Sequence, residues 1–230
     1  SVRPQEKVFI EYRIVGAATD EEEEIHLNGK LTITDPDRQR VRQTDFSLKQ
    51  KIQSGEPVRG WAHFTLPGYA PPGNYHLHVR IEDLHQKTVA EYTHPFVVET
   101  FPPVIPGGLE MRELKISLTE GGPPLVPPVV PAGNKVYTSA KLAGMQFHGD
   151  EIQLKIAYKL IGPRGETILN KPDFREIRDS WEYHPAGFFL PVSFQVTPPS
   201  GMKGVFNQQF EVNDLIGRTS KVFSTKFEVK

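Results

Sequence analysis

The 230-residue chain is long enough for one or two domains that bury their own cores, and its lack of cysteine excludes a thiol nucleophile, thiolate metal ligands and a disulfide framework. Lys plus Arg number 27 against 28 Asp plus Glu, a formal charge of -1, so no global field draws the chain to nucleic acid or anionic lipid. No apolar run approaches the roughly 20 residues that cross a bilayer, which predicts no membrane span.

Clustered proline (21) and glycine (19) favour many short strands joined by turns. Ser1 opens the numbering with neither a basic nor an apolar leader, as expected of a mature or trimmed product.

In chain order, the first segment is KVFIEYRIVG, Lys7 to Gly16, which lines up with KVYTSAKLAG, Lys135 to Gly144. After the acidic run Asp20 to Glu24, Glu24 to Leu27 (EIHL) matches Glu151 to Leu154 (EIQL), and Asp45-Phe46 matches Asp173-Phe174. Turn signals at Asp35-Pro36-Asp37 and Pro72-Gly73-Asn74 bound further strands. From Tyr75, strict alternation puts Tyr75, Leu77, Val79 and Ile81 on one face and His76, His78, Arg80 and Glu82 on the other, the pattern of a half-buried strand. Tyr75, Val79 and Asp83 match Phe206, Phe210 and Asp214, and the closing Phe96 and Val98 match Phe227 and Val229.

Such self-similarity over several segments predicts an all-β chain of two tandem antiparallel β-sandwich domains related by internal duplication. Residues 1–101 form the first, 102–108 (FPPVIPGG from Phe101) a Pro/Gly linker, and 109–230 the second. The second copy has a leading strand, Glu113 to Leu118, and a proline-rich loop, Gly121 to Pro131. Upstream of Lys7 the first copy has almost nothing, so its leading strand is missing, replaced, or supplied by residues before Ser1. Only Asp173 to His184 carries a helical signal, with Asp173 as cap and Glu176 in capping-box position.

The hairpin Pro72, Gly73, Tyr75, Leu77, Val79, Ile81 and Asp83, followed by Phe96 and Val98, resembles the endings of bacterial immunoglobulin-like and fibronectin-type-III-like modules of exported proteins. The second copy lengthens the turn at Ser200-Gly201-Met202-Lys203, and the paired cysteines of true immunoglobulin domains are absent. The resemblance implies a non-catalytic spacer or protein-interaction module, secreted, periplasmic or at the cell surface, and carries over no catalytic residue and no cofactor.

No local signature of a hydrolase elbow, zinc helix, phosphate loop or calcium loop occurs. His76 and His78 at i, i+2 on one strand face, with His63 from a neighbouring strand, are a weak metal candidate beside the plainer reading of a solvated sheet face. Asp20 to Glu24 reads as a solvated turn. Aromatics give the stronger signal: Trp181, Tyr183, Phe188 and Phe189 gather in one charged segment, and Trp61 takes a similar place in the first copy. They would anchor a protein partner, stack on a glycan, or close the end of a sandwich. A coplanar exposed platform would favour sugar, and an open strand edge or uncovered apolar patch would favour protein.

Overall fold

The computed structural model describes residues 1–53, 55–102 and 104–230, with strands as the only regular elements among them. The chain divides into two compact units, Ser1–Pro103 and Val104–Lys230. Pro103 of the expected linker lies outside the described residues.

In the first unit β1 (Lys7–Ile14) pairs with β4 (Val58–Thr65), and the facing sheet runs β3 (Arg40–Lys51), β2 (Glu24–Thr34), β5 (Gly73–Asp83), β6 (Thr88–Val98). Leu31, Ile33, Phe64, Leu66, Tyr75, Leu77 and Val98 fill the space between the sheets. The alternation read from Tyr75 onward produces this: alternate residues of β5 point at the opposite sheet and lose water.

The second unit repeats the plan. Its larger sheet runs β11 (Thr167–Ser180), β10 (Glu151–Ile161), β13 (Gly204–Asp214), β14 (Thr219–Val229), β8 (Val129–Val130). The smaller runs β12 (Phe189–Val196), β9 (Val136–Ala143), β7 (Glu110–Ser117). Phe194 of one sheet meets Phe210 of the other with ring centroids 4.5 Å apart.

Ladder register makes the correspondence residue by residue. Gly73 faces Val98 and Tyr75 faces Phe96; Gly204 faces Val229 and Phe206 faces Phe227. Gly73 (φ 140°) and Gly204 (φ 121°) both hold left-handed backbone, and a Cβ would come 2.6 Å from Pro36 in one and 2.8 Å from Pro163 in the other. Val2 bridges Val98 in parallel as Val130 of β8 bridges Val229, and the other strand pairs among the described residues are antiparallel.

One element differs from expectation. Asp173 to Ser180 is not helical but belongs to β11, because Ile152 to Ile156 pair with Asp179 to Arg175 and the ladder overrides the local capping signal. Glu176 bonds Arg178 rather than a helix N-terminus. Pro172 sits where the register shifts, and the exposed charges along this edge strand discourage further pairing. Of the alternatives left open for the leading strand of the first copy, no replacement is seen: β1 has no strand on its other side among the described residues, whereas its counterpart β9 lies between β12 and β7.

Candidate functional site

In the second unit the expected aromatic segment follows β11. The amide N–H of Trp181 donates to the carbonyl of Asp150 at 2.8 Å, and Phe188 N–H closes a turn onto Pro185 at 2.7 Å. These bonds fold the segment back over the sandwich end. Tyr183 (5% exposed) and Phe188 (4%) are core residues there, so of the readings open for them they take the one that closes the sandwich end and not that of a surface anchor. Phe188 meets Trp181 edge-on at 5.5 Å and Phe147 at 5.3 Å, while His184 stacks on Phe147 at 3.9 Å. Phe147, unmarked in the sequence, is the hub of this plug. Trp181 is half-buried, and among the described residues its Nε1 meets no acceptor. Phe189 carries the Lys141 ammonium over its ring at 4.4 Å.

The first unit presents the opposite arrangement. On the outer face of β1 and β4, Phe9 lies directly across from His63 and Glu11 from Trp61. Trp61 is 71% exposed and Phe9 67%. Their neighbours do not form a flat platform, since the Phe9 and His63 rings are tilted by 41° at 6.2 Å.

Behind this face, between β1 and β6, a cleft of about 760 Å³ opens into the sandwich, lined by Ile10, Tyr12, Leu77, Val79, Tyr92 and Phe96. Tyr92 points inward in the ladder opposite Val79 yet stays 65% exposed. Along β1, Val8, Ile10, Tyr12 and Ile14 are only partly covered, whereas Val136, Thr138, Ala140 and Leu142 of β9 are buried. The difference is β7, which covers the β9 edge and reaches β14. There Glu110 is held below the usual carboxylate range by the Arg112 guanidinium at 2.6 Å, with Lys221 of β14 adding to the effect.

The histidines separate. His76 and His78 share a face of β5 with rings 6.0 Å apart, but His63 stands on β4 in the other sheet, so the weak metal candidate of three histidines is not assembled. His78 is instead tied to Thr93 at 3.0 Å and Thr34 at 3.4 Å. Among the described residues no three metal-binding side chains converge. The Asp20 carboxylate accepts the N–H groups of Glu24 (2.8 Å) and Glu22 (3.0 Å), which, with the Glu24 bond foremost, lower its pKa and fold the acidic run onto itself.

No protein-family model and no curated protein matches the chain. Among solved structures it is similar to E. coli alpha-2-macroglobulin in its native conformation, at 12% identity and a TM-score of 0.33, covering 100% of this chain and 16% of that one. A Salmonella alpha-2-macroglobulin mutant gives 16% identity and 0.28 over 99% and 14%, and red sea bream transglutaminase 8% and 0.29 over 97% and 29%. This chain therefore spans less than a third of each, and at such scores the likenesses carry no argument about function.

Proposed function

We propose that the chain is a non-catalytic pair of β-sandwich modules of an exported or cell-envelope protein, and that its first unit binds a protein partner. The setting rests on the resemblance of the Pro72 to Asp83 hairpin. The observation that carries the binding role is the uncovered β1 edge, where an apolar cleft opens beside exposed Phe9 and Trp61. An open edge supplies unpaired backbone donors and acceptors, and an adjoining apolar surface supplies the affinity that such bonds alone lack in water. Tilted rings and an open ladder suit a polypeptide better than a sugar ring.

The immobilised native chain is expected to retain a protease-sensitive ligand from the cells that make it. A Phe9→Ser, Trp61→Ser variant should retain about tenfold less or lower still, at an unchanged melting temperature, because both side chains are exposed. Equal retention by the variant, or retention of a protease-resistant glycan, would overturn the proposal.

A further inference from the structure

The two units differ most plainly at one edge. β4 and β12 are both outer strands, as are β3 and β11, so those edges are common to the plan. Among the described residues β6 keeps a single bridge to Val2 where its counterpart β14 carries the two-residue β8, whereas β1 is bare along its whole length where its counterpart, β9, is a central strand. We infer that β1 accepts an extended antiparallel strand from a polypeptide other than a second copy of this chain, seated as β7 is seated on β9 and closing the cleft with its inward side chains. The inference rests on the protein-binding reading above and specifies the form of the partner.

The second unit supplies the geometry of the seat. Met111 faces Leu142, Arg112 faces Lys141, Lys115 faces Ser139 and Ile116 faces Thr138. Carried to the first unit, whose Ile14 corresponds to Leu142, the incoming strand places one aliphatic residue opposite Ile14 and another opposite Ile10. Between them lie Arg13 and Glu11, on the outer face. In the second unit Glu113 reaches Lys141 with an oxygen 2.6 Å from Nζ, and Lys141 is the counterpart of Arg13. Lys115 stands opposite Ser139, the counterpart of Glu11.

A strand patterned like β7 therefore brings the acid in the place of Glu113 toward Arg13 and the base in the place of Lys115 toward Glu11, while the base in the place of Arg112, directly opposite Arg13, is paired by an acid of its own strand as Arg112 is by Glu110. The partner is a segment of about eight residues, the length of β7, with aliphatic side chains in the places of Met111 and Ile116 and an acid before a base between them. Its apolar side would cover Tyr92 and Phe96, as the corresponding Phe223 and Phe227 are better covered in the second unit.

The test adds a peptide with the sequence Leu109 to Leu118 to the full chain. Saturable binding is expected, with slowed amide exchange within Lys7 to Ile14 and a rise in melting temperature. A peptide with the acid and base exchanged should bind about tenfold more weakly, since like charges then face one another. A peptide methylated on the backbone nitrogens facing β1 should not bind. Equal binding by the methylated peptide, protection that falls outside β1 and β6, or no saturation would each overturn the inference. So would a concentration-dependent dimer of the chain that the peptide dissolves, which assigns the cleft to a second copy. If the peptide fails while the native chain still retains a protein that the Phe9→Ser, Trp61→Ser variant loses, strand addition is wrong and the binding face stands.

Discussion

Asp83 satisfies three backbone donors with one carboxylate. Its Oδ2 accepts the N–H of Ala18 at 2.8 Å, and its Oδ1 those of His85 at 2.9 Å and Gln86 at 3.2 Å. Asp214 does the same for Gln146, Ile216 and Gly217, so in each unit one buried acid staples the loop after β1 or its counterpart β9 to the turn before the last strand. Burial alone would raise the pKa of Asp83, but the bonds from Ala18, Gln86 and His85 stabilise the charged form more, and the net shift is downward. A carboxylate depressed in the folded state contributes stability above its unfolded pKa of about 3.9, and that contribution is lost as pH falls through the lower folded value. Asp83→Asn turns an amide donor toward one of these N–H groups. It is expected to cost about 1 to 3 kcal/mol at neutral pH and to flatten the acid limb of the stability profile. Urea titrations of both proteins between neutral and acidic pH check this, and parallel acid limbs would remove Asp83 from the account. Elsewhere the units solve one position differently: Ile10 and Leu77 pack together in the first core, where Thr138 donates to Gln208 at 2.7 Å in the second.

At the scale of strands, paired positions exchange volume between the units. Tyr12 faces Gly60 across β1 and β4, and its ring occupies the place a Gly60 side chain would take; Ala140 faces Val192 in the corresponding pair. Gly60→Val alone is expected to destabilise by about 1 to 3 kcal/mol through overpacking, and Tyr12→Ala in the same chain to recover most of it. A double-mutant cycle by chemical denaturation measures the coupling, and simple additivity would show that the ring does not depend on the glycine. These pairs follow from register, of which the facing of each strand was legible in the sequence and the pairing partners were not. The alternation around Tyr75 and Phe206, with turns bounded by glycine and proline, permits only one face to be buried. That nothing upstream of Lys7 matches Glu113 to Leu118 was likewise visible, while the sequence left open whether that strand is missing, replaced or supplied by residues before Ser1. What was not legible depends on distant partners. The capping box at Asp173 is local, whereas the ladder that makes it a strand comes from residues about two dozen positions earlier in the chain. Tyr183 and Phe188 carry the same composition whether they plug a sandwich or anchor a ligand. Phe9 and Tyr92 give no signal at all, because their exposure arises from a neighbour that is not in the unit.

For the 230 residues as a whole, the uncovered β1 edge makes the two units unequal in stability. Burying one aliphatic or aromatic core side chain fully is worth about 1.5 to 3 kcal/mol. Val8, Ile10, Tyr12 and Ile14 each obtain part of that, while Val136, Ala140 and Leu142 obtain nearly all of it, and Thr138 is buried with its hydroxyl satisfied. Two-stranded pairing on one side of the first core, against three strands in the second, lowers the cooperativity of its ladder in the same direction. Thermal unfolding of the full chain is therefore expected in two steps, the first unit melting lower, and a difference of 1 kcal/mol corresponds to about 4 to 8 °C in a domain near this size. The fragment Val104–Lys230 should unfold in one cooperative step coincident with the upper transition, since its strands find all their ladder partners inside it. Calorimetry of the chain and the fragment decides the matter. A single transition in the full chain, or a fragment that does not melt cooperatively, would mean that the units unfold as one, and the shortfall along β1 would then have to be made up by the rest of the molecule. If two transitions are seen, a ligand that closes the β1 edge has a distinctive signature: by mass action it raises the lower transition and leaves the upper one in place.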